Sequence, residues 1–125
     1  MNRYNPDIAP EPEEWLDLDE QERIILATDY HRRSKERLPN TRIHATIHAI
    51  VETQVALGDD TPVRDVLERL QSEGLNRHEA IHAVGRVLAE HMHGMMSGKE
   101  QSDDPNQEYF RRVEKLTAEA WRRAR

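Results

Sequence analysis

Apolar positions along this chain recur at three- and four-residue intervals, and nowhere does a period of two appear between turn signals. The pattern therefore predicts helices and no strand. Ile43, Ile47, Ile50 and Val51 form one apolar stripe, and Ile81, Val84, Val87, Leu88, Met92 and Met95 form another. Polar breaks divide the chain between them. Asp17-x-x-Glu20 reads as the cap of a first helix running to about Lys35, and Leu38-Pro39-Asn40 breaks the chain after it. Asn40 can cap a second helix, Thr41 to Leu57, closed by Gly58. Thr61-Pro62 opens a third that ends before Gly74, and Asn76 caps a fourth that reaches about Ser97 and stops at Gly98. A polar loop over 98–106 leads into a charged fifth helix, Pro105 to Arg123. The expected fold is all-α, a small bundle of four to five helices with short connections.

The chain has 125 residues, the length of one ordinary domain, and its 36% hydrophobic content with one Phe and two Trp leaves a small, aliphatic core. Its first 22 residues hold eight acids and one Arg, with prolines at 6, 10 and 12, which reads as an extended, solvated acidic arm. The expected organisation is thus an N-terminal arm over 1–16, a helical core over 17–98, and a polar loop with a charged helix over 99–125. A net charge of −6 argues against nonspecific nucleic-acid binding. No run approaches the ~20 apolar residues of a membrane span, and the N-terminus lacks a signal-peptide core, so a cytoplasmic, membrane-free protein is expected.

The candidate chemistry lies in the histidines. Four of the seven fall in two motifs, His44-x3-His48-x3-Glu52 and His78-Glu79-Ala80-Ile81-His82, whose i, i+4 spacing stacks side chains on one helical face. With no cysteine in the chain, His, Asp and Glu are the only strong ligands, and imidazole with carboxylate suits a borderline transition metal such as zinc or iron. His44 points between Val51 and Val55, at the core edge, while His48 and Glu52 step toward the polar flank. His78 and His82 share their direction with Gly85 and Ala89. A helical Gly costs ~1 kcal/mol relative to Ala, which implies that another element approaches that face closely. A neighbouring helix carrying His44, His48 and Glu52 would fit.

These residues also have plainer readings. Asn76-x-x-Glu79 is a capping-box pattern, which is enough to explain Glu79. His91, on an apolar face, reads as a hydrogen-bonded core residue, and His31 and His93 read as surface or filler positions. The two motifs together could equally be a buried polar cluster that pins helix pairing.

Read literally, His78 to His82 is H-E-x-x-H, and with Gly85 it resembles the opening of the metzincin signature. The third histidine of that signature is replaced by Leu88. The pairs His48-x3-Glu52 and His78-x3-His82 are similar in part to those of hemerythrin-like di-iron bundles, although a short helix separates them here. The segment Arg42-Ile-His-Ala-Thr-Ile-His-Ala-Ile-Val-Glu-Thr-Gln-Val-Ala, followed by His78-Glu-Ala-Ile-His82 and Leu88-Ala-Glu90, resembles a family of small bacterial proteins designated a domain of unknown function, number 1841. That resemblance covers roughly residues 40–95 and implies an α-helical fold without an established activity. The reading is therefore a protein that binds zinc or iron through His44, His48, Glu52, His78 and His82, with Glu52 as a ligand or as an acceptor that fixes an imidazole tautomer. The alternative is a metal-free interaction module whose charged ends dock onto a partner protein or a second copy. No Ser/His/Asp set, phosphate loop or dinucleotide fingerprint assigns a reaction.

Overall fold

The computed structural model describes residues 1–34, 40–98 and 104–124. Among them the chain is all-helical, as the periodicity predicts, but seven α-helices replace the expected four to five: α1 (Pro12–Asp17), α2 (Glu20–Ser34), α3 (Thr41–Ala56), α4 (Val63–Ser72), α5 (Arg77–Met96), α6 (Pro105–Glu114) and α7 (Ala118–Ala124), with a 3-10 turn at Gly58–Asp60. The predicted end of the first helix at Lys35, the Leu38-Pro39 break and most of the loop after Gly98 lie outside the described residues.

Two differences have local causes. The cap of α2 lies two residues beyond Asp17-x-x-Glu20: the Asp19 carboxylate accepts from Glu22 N–H at 2.8 Å, and the Glu22 carboxylate accepts from Asp19 N–H at 3.3 Å. Upstream of this box the chain is already helical in α1, where the Glu11 side chain accepts from Glu14 N–H at 2.9 Å. At the other end, the single helix expected over 105–123 is broken between α6 and α7. Thr117 Oγ1 accepts from Ala120 N–H at 3.1 Å, and α4 satisfies the groups freed by the break. Arg69 donates to the Leu116 carbonyl at 2.6 Å, and Glu73 accepts from Ala118 N–H at 2.8 Å. That N–H bond, reinforced by Arg69, lowers the Glu73 pKa.

Helix α3 positions the site because two apolar clusters meet across it. Val51 joins Leu67, Leu70, Ile81, Val84 and Val113 in the main core beneath α4, α5 and α6, whereas Ala45 and Ala49 pack with Tyr4, Trp15 and Ala27. The acidic segment is therefore not a solvated arm. Its carboxylates face solvent, but Tyr4, Pro6 and Trp15 are buried, and Trp15 donates its indole N–H to Thr53 of α3 at 3.0 Å. The predicted close approach at Gly85 is also present: a Cβ there would stand 2.8 Å from Ile47 Cγ2, so α5 meets α3 without room for a methyl group.

Candidate metal centre

Where α2, α3 and α5 converge, five imidazoles gather: His31, His44 and His48 form one set and His48, His78 and His82 another, with the donor atoms of each set within 4.8 Å of one another. At the centre, the Nε2 atoms of His44, His48 and His82 make a nearly equilateral triangle with edges of 3.1, 3.2 and 3.1 Å. A ring N–H···N bond needs one nitrogen bearing hydrogen and one bearing a lone pair. Three mutually adjacent nitrogens cannot be assigned so that every pair has one of each. At least one edge sets two like atoms against each other unless a cation takes the lone pairs.

The surrounding groups fix the tautomers. Tyr4 O–H lies 2.6 Å from Glu52 Oε2 and 3.1 Å from His48 Nδ1. Its single proton goes to the carboxylate, which can only accept, so His48 donates Nδ1–H to the phenol oxygen and turns a bare Nε2 toward the triangle. His31 Nδ1–H donates to the Ala27 carbonyl at 2.6 Å, which likewise leaves its Nε2 bare; this buried atom has no hydrogen-bond partner among the described residues. Burial, then the charges His82, His44, His31 and His78 would carry, holds His48 neutral by lowering its pKa strongly. The same causes, burial first and His78 next, lower His82 to about 3. Both rings are thus unprotonated at neutral pH, as ligation requires.

Glu52 is 1% exposed and fully engaged. Arg77 grips it through two bonds of 2.7 and 2.8 Å, and donates a further bond to the Pro6 carbonyl at 2.9 Å. Desolvation alone would lower the Arg77 pKa, but Glu52 outweighs it and the guanidinium is held above its ordinary value. Burial, followed by the Glu52 charge, raises Tyr4 well above a free phenol.

Of the residues expected from the chain, His44, His48, His78 and His82 are brought together. Glu52 stands one layer out, touching the triangle through Tyr4. His31, expected as a surface or filler position, is 1% exposed inside the cluster. Its signal was the Ile24-x-x-Ala27-x3-His31 spacing, which places it on the buried face of α2. Tyr4 and Arg77 were missed as well. Glu79 closes the capping box with Asn76, at 2.8 and 3.3 Å. His91 is buried beside Tyr109, ring centroids 5.7 Å apart, and His93 is exposed. Leu88, at the third metzincin position, belongs to the main core.

Neither a curated protein nor a solved structure matches the chain. A family model described as a domain of unknown function, DUF1841, matches residues 5–115, well beyond the 40–95 stretch that carries the resemblance, so that both the acidic segment and α6 fall within it; the chain belongs to the DUF1841 family.

Proposed function

We propose that this protein binds a divalent transition metal, zinc or iron, through His44, His48 and His82, with His31 and His78 completing the donor set. The carrying observation is the Nε2 triangle. An ion about 2.0–2.1 Å from each imidazole nitrogen sets neighbouring donors roughly 3.0 Å apart at octahedral angles and 3.3 Å at tetrahedral ones. The edges of 3.1 to 3.2 Å fall between these values. The bare Nε2 of His31 and the Tyr4–His48 bond support the same reading, since a ligating histidine normally donates its other ring N–H to a carbonyl, a carboxylate or a group linked to one.

The interaction-module alternative docks through a charged end, either 105–125 or the N-terminal segment 1–22. Here Tyr4 and Trp15 are buried against α2 and α3, and Tyr4 bonds the cluster itself, which ties that segment to the site.

The test is elemental analysis of untagged protein by inductively coupled plasma mass spectrometry. Near-stoichiometric zinc or iron is expected, and it should be lost in His48→Ala and His82→Ala but kept in the exposed-residue variant His93→Ala. Folded protein that carries no metal and gains no thermal stability from added zinc or iron would refute the reading.

A further inference from the structure

The triangle does not face protein alone. His44, His48 and His82 line a cavity of about 280 Å³ whose other walls include Ile47, Ile81 and Trp121; among the described residues His31 and His78 do not line it. An ion on the triangle would thus have imidazoles flanking it and an open approach from the cavity. At this volume the space is at the lower end of small-molecule sites, fit for a ligand of about one ring.

Its chemistry is that of an anion site with an apolar body. Arg86 lines the same cavity one helical turn after His82. It stacks 5.9 Å over the Trp121 ring, with its other contacts at Glu90, 3.4 Å away, and at the Ala124 carbonyl, 3.3 Å away. Trp121 supplies an indole ring to the wall, and its buried Nε1 has no hydrogen-bond partner among the described residues. Neutral imidazoles leave the charge of a divalent ion uncompensated. The carboxylate next to the cluster, Glu52, is already neutralised by Arg77.

Building on the metal reading above, we propose that this cavity binds a small organic carboxylate with an apolar body. One carboxylate oxygen completes the coordination of the ion. Arg86 serves the other, and the body packs between Ile47, Ile81 and the indole ring.

The experiment uses the full chain loaded with cobalt(II), whose visible absorption reports a change of ligands. Cobalt content is measured first, after which benzoate, and separately its neutral isostere benzamide, are titrated by absorption and by calorimetry. Benzoate should shift the cobalt bands and bind at least about tenfold more tightly than benzamide, since a hydrogen bond to a charged group is worth that much or more. Arg86→Gln should weaken benzoate by about tenfold at unchanged cobalt content. Cobalt-loaded protein that ignores benzoate up to about 10 mM, or that takes both probes equally, would overturn the carboxylate site while the metal reading stands. A chain that takes up no cobalt overturns both. The comparison of benzoate with benzamide needs no variant, so poor folding of that substitution does not shield the proposal.

Discussion

Glu52→Gln separates an outer-layer role for this carboxylate from direct ligation. The side chain is 1% exposed and accepts two bonds from Arg77, at 2.7 and 2.8 Å, and one from Tyr4 at 2.6 Å. Gln keeps the shape and one acceptor but leaves the Arg77 guanidinium buried without a counter-charge. Removing one partner of a buried ion pair costs about 3–5 kcal/mol, a large share of the ~5–15 kcal/mol that holds a domain together. With a urea dependence of ~1–3 kcal/mol per molar, the unfolding midpoint should fall by roughly 2 M. Replacing both partners at once, as Glu52→Leu with Arg77→Met, removes charge and counter-charge together and should recover a large part of that loss. Metal stoichiometry should survive in Glu52→Gln while affinity drops about 10–100-fold through the loosened Tyr4–His48 contact, measured by competition with a chromophoric chelator. Loss of metal even at saturating concentration, with the urea midpoint unchanged, would show that Glu52 is itself a ligand and refute the reasoning.

Three further outcomes follow from the geometry. Gly85→Ala gains helix propensity of ~1 kcal/mol but forces a methyl group to within 2.8 Å of Ile47 Cγ2, so it should destabilise by about 1–3 kcal/mol and weaken metal binding by parting α3 from α5. Adding Ile47→Ala should restore metal affinity, and if it does not, the contact is not what sets the spacing. His31→Phe keeps an aromatic ring in the cluster, so metal affinity should fall about 10–100-fold in chelator competition while the fold persists; unchanged affinity would remove His31 from the donor set. In metal-free protein, His48 and His82 have folded pKa values below the ~6.5 of an unfolded histidine, so below that pH the unfolded chain takes up protons the folded chain refuses. Stability is full above about pH 6.5 and should fall with acidification toward pH 3, at most by about 1.4 kcal/mol per pH unit for each histidine. A urea midpoint that stays level from pH 7 to about 4.5 would contradict it.

The elements whose caps are written in consecutive residues were legible in the chain. Asn40 accepts from Ile43 N–H at 3.1 Å, Thr61 Oγ1 accepts from Val63 N–H at 3.2 Å, and the Asn76–Glu79 box closes as the spacing implies. The break between α6 and α7 was not legible, because Arg69 and Glu73, about 45 residues away, satisfy its backbone. The four histidines of the two motifs could be found because periodicity fixes direction within a helix. Periodicity says nothing about which third helix arrives, and so the chain alone does not bring His31 to the cluster. Tyr4 was hidden for another reason: it sits among acids and prolines that read as a solvated arm, yet its ring is buried against Trp15 and His48, with centroids 5.7 and 6.0 Å away. Composition averages over a segment, and a single aromatic side chain can anchor one that the average assigns to solvent.

The polar seam across α3 is where the proposed metal would couple to folding. Between its two apolar clusters this helix carries His48 and Glu52, both buried, and each brings a desolvation cost that an aliphatic residue of the same volume would not. Arg77 and Tyr4 settle the Glu52 side. On the histidine side no arrangement of protons satisfies all three edges of the Nε2 triangle, so protein groups alone leave that layer strained. A divalent cation would resolve the conflict, since it would take every lone pair, and could do so only when α3 and α5 have met, as they do at Ile47 and Gly85. An ion that binds the folded chain and not the unfolded one adds stability by mass action, about 4 kcal/mol at a thousand times its dissociation constant. That is as large as the cost of removing one partner of the Glu52–Arg77 pair. The residues that make the metal-free fold costly are thus the ones that would make the metal-bound fold secure, and a chelator that removes the ion should lower the urea midpoint of the chain.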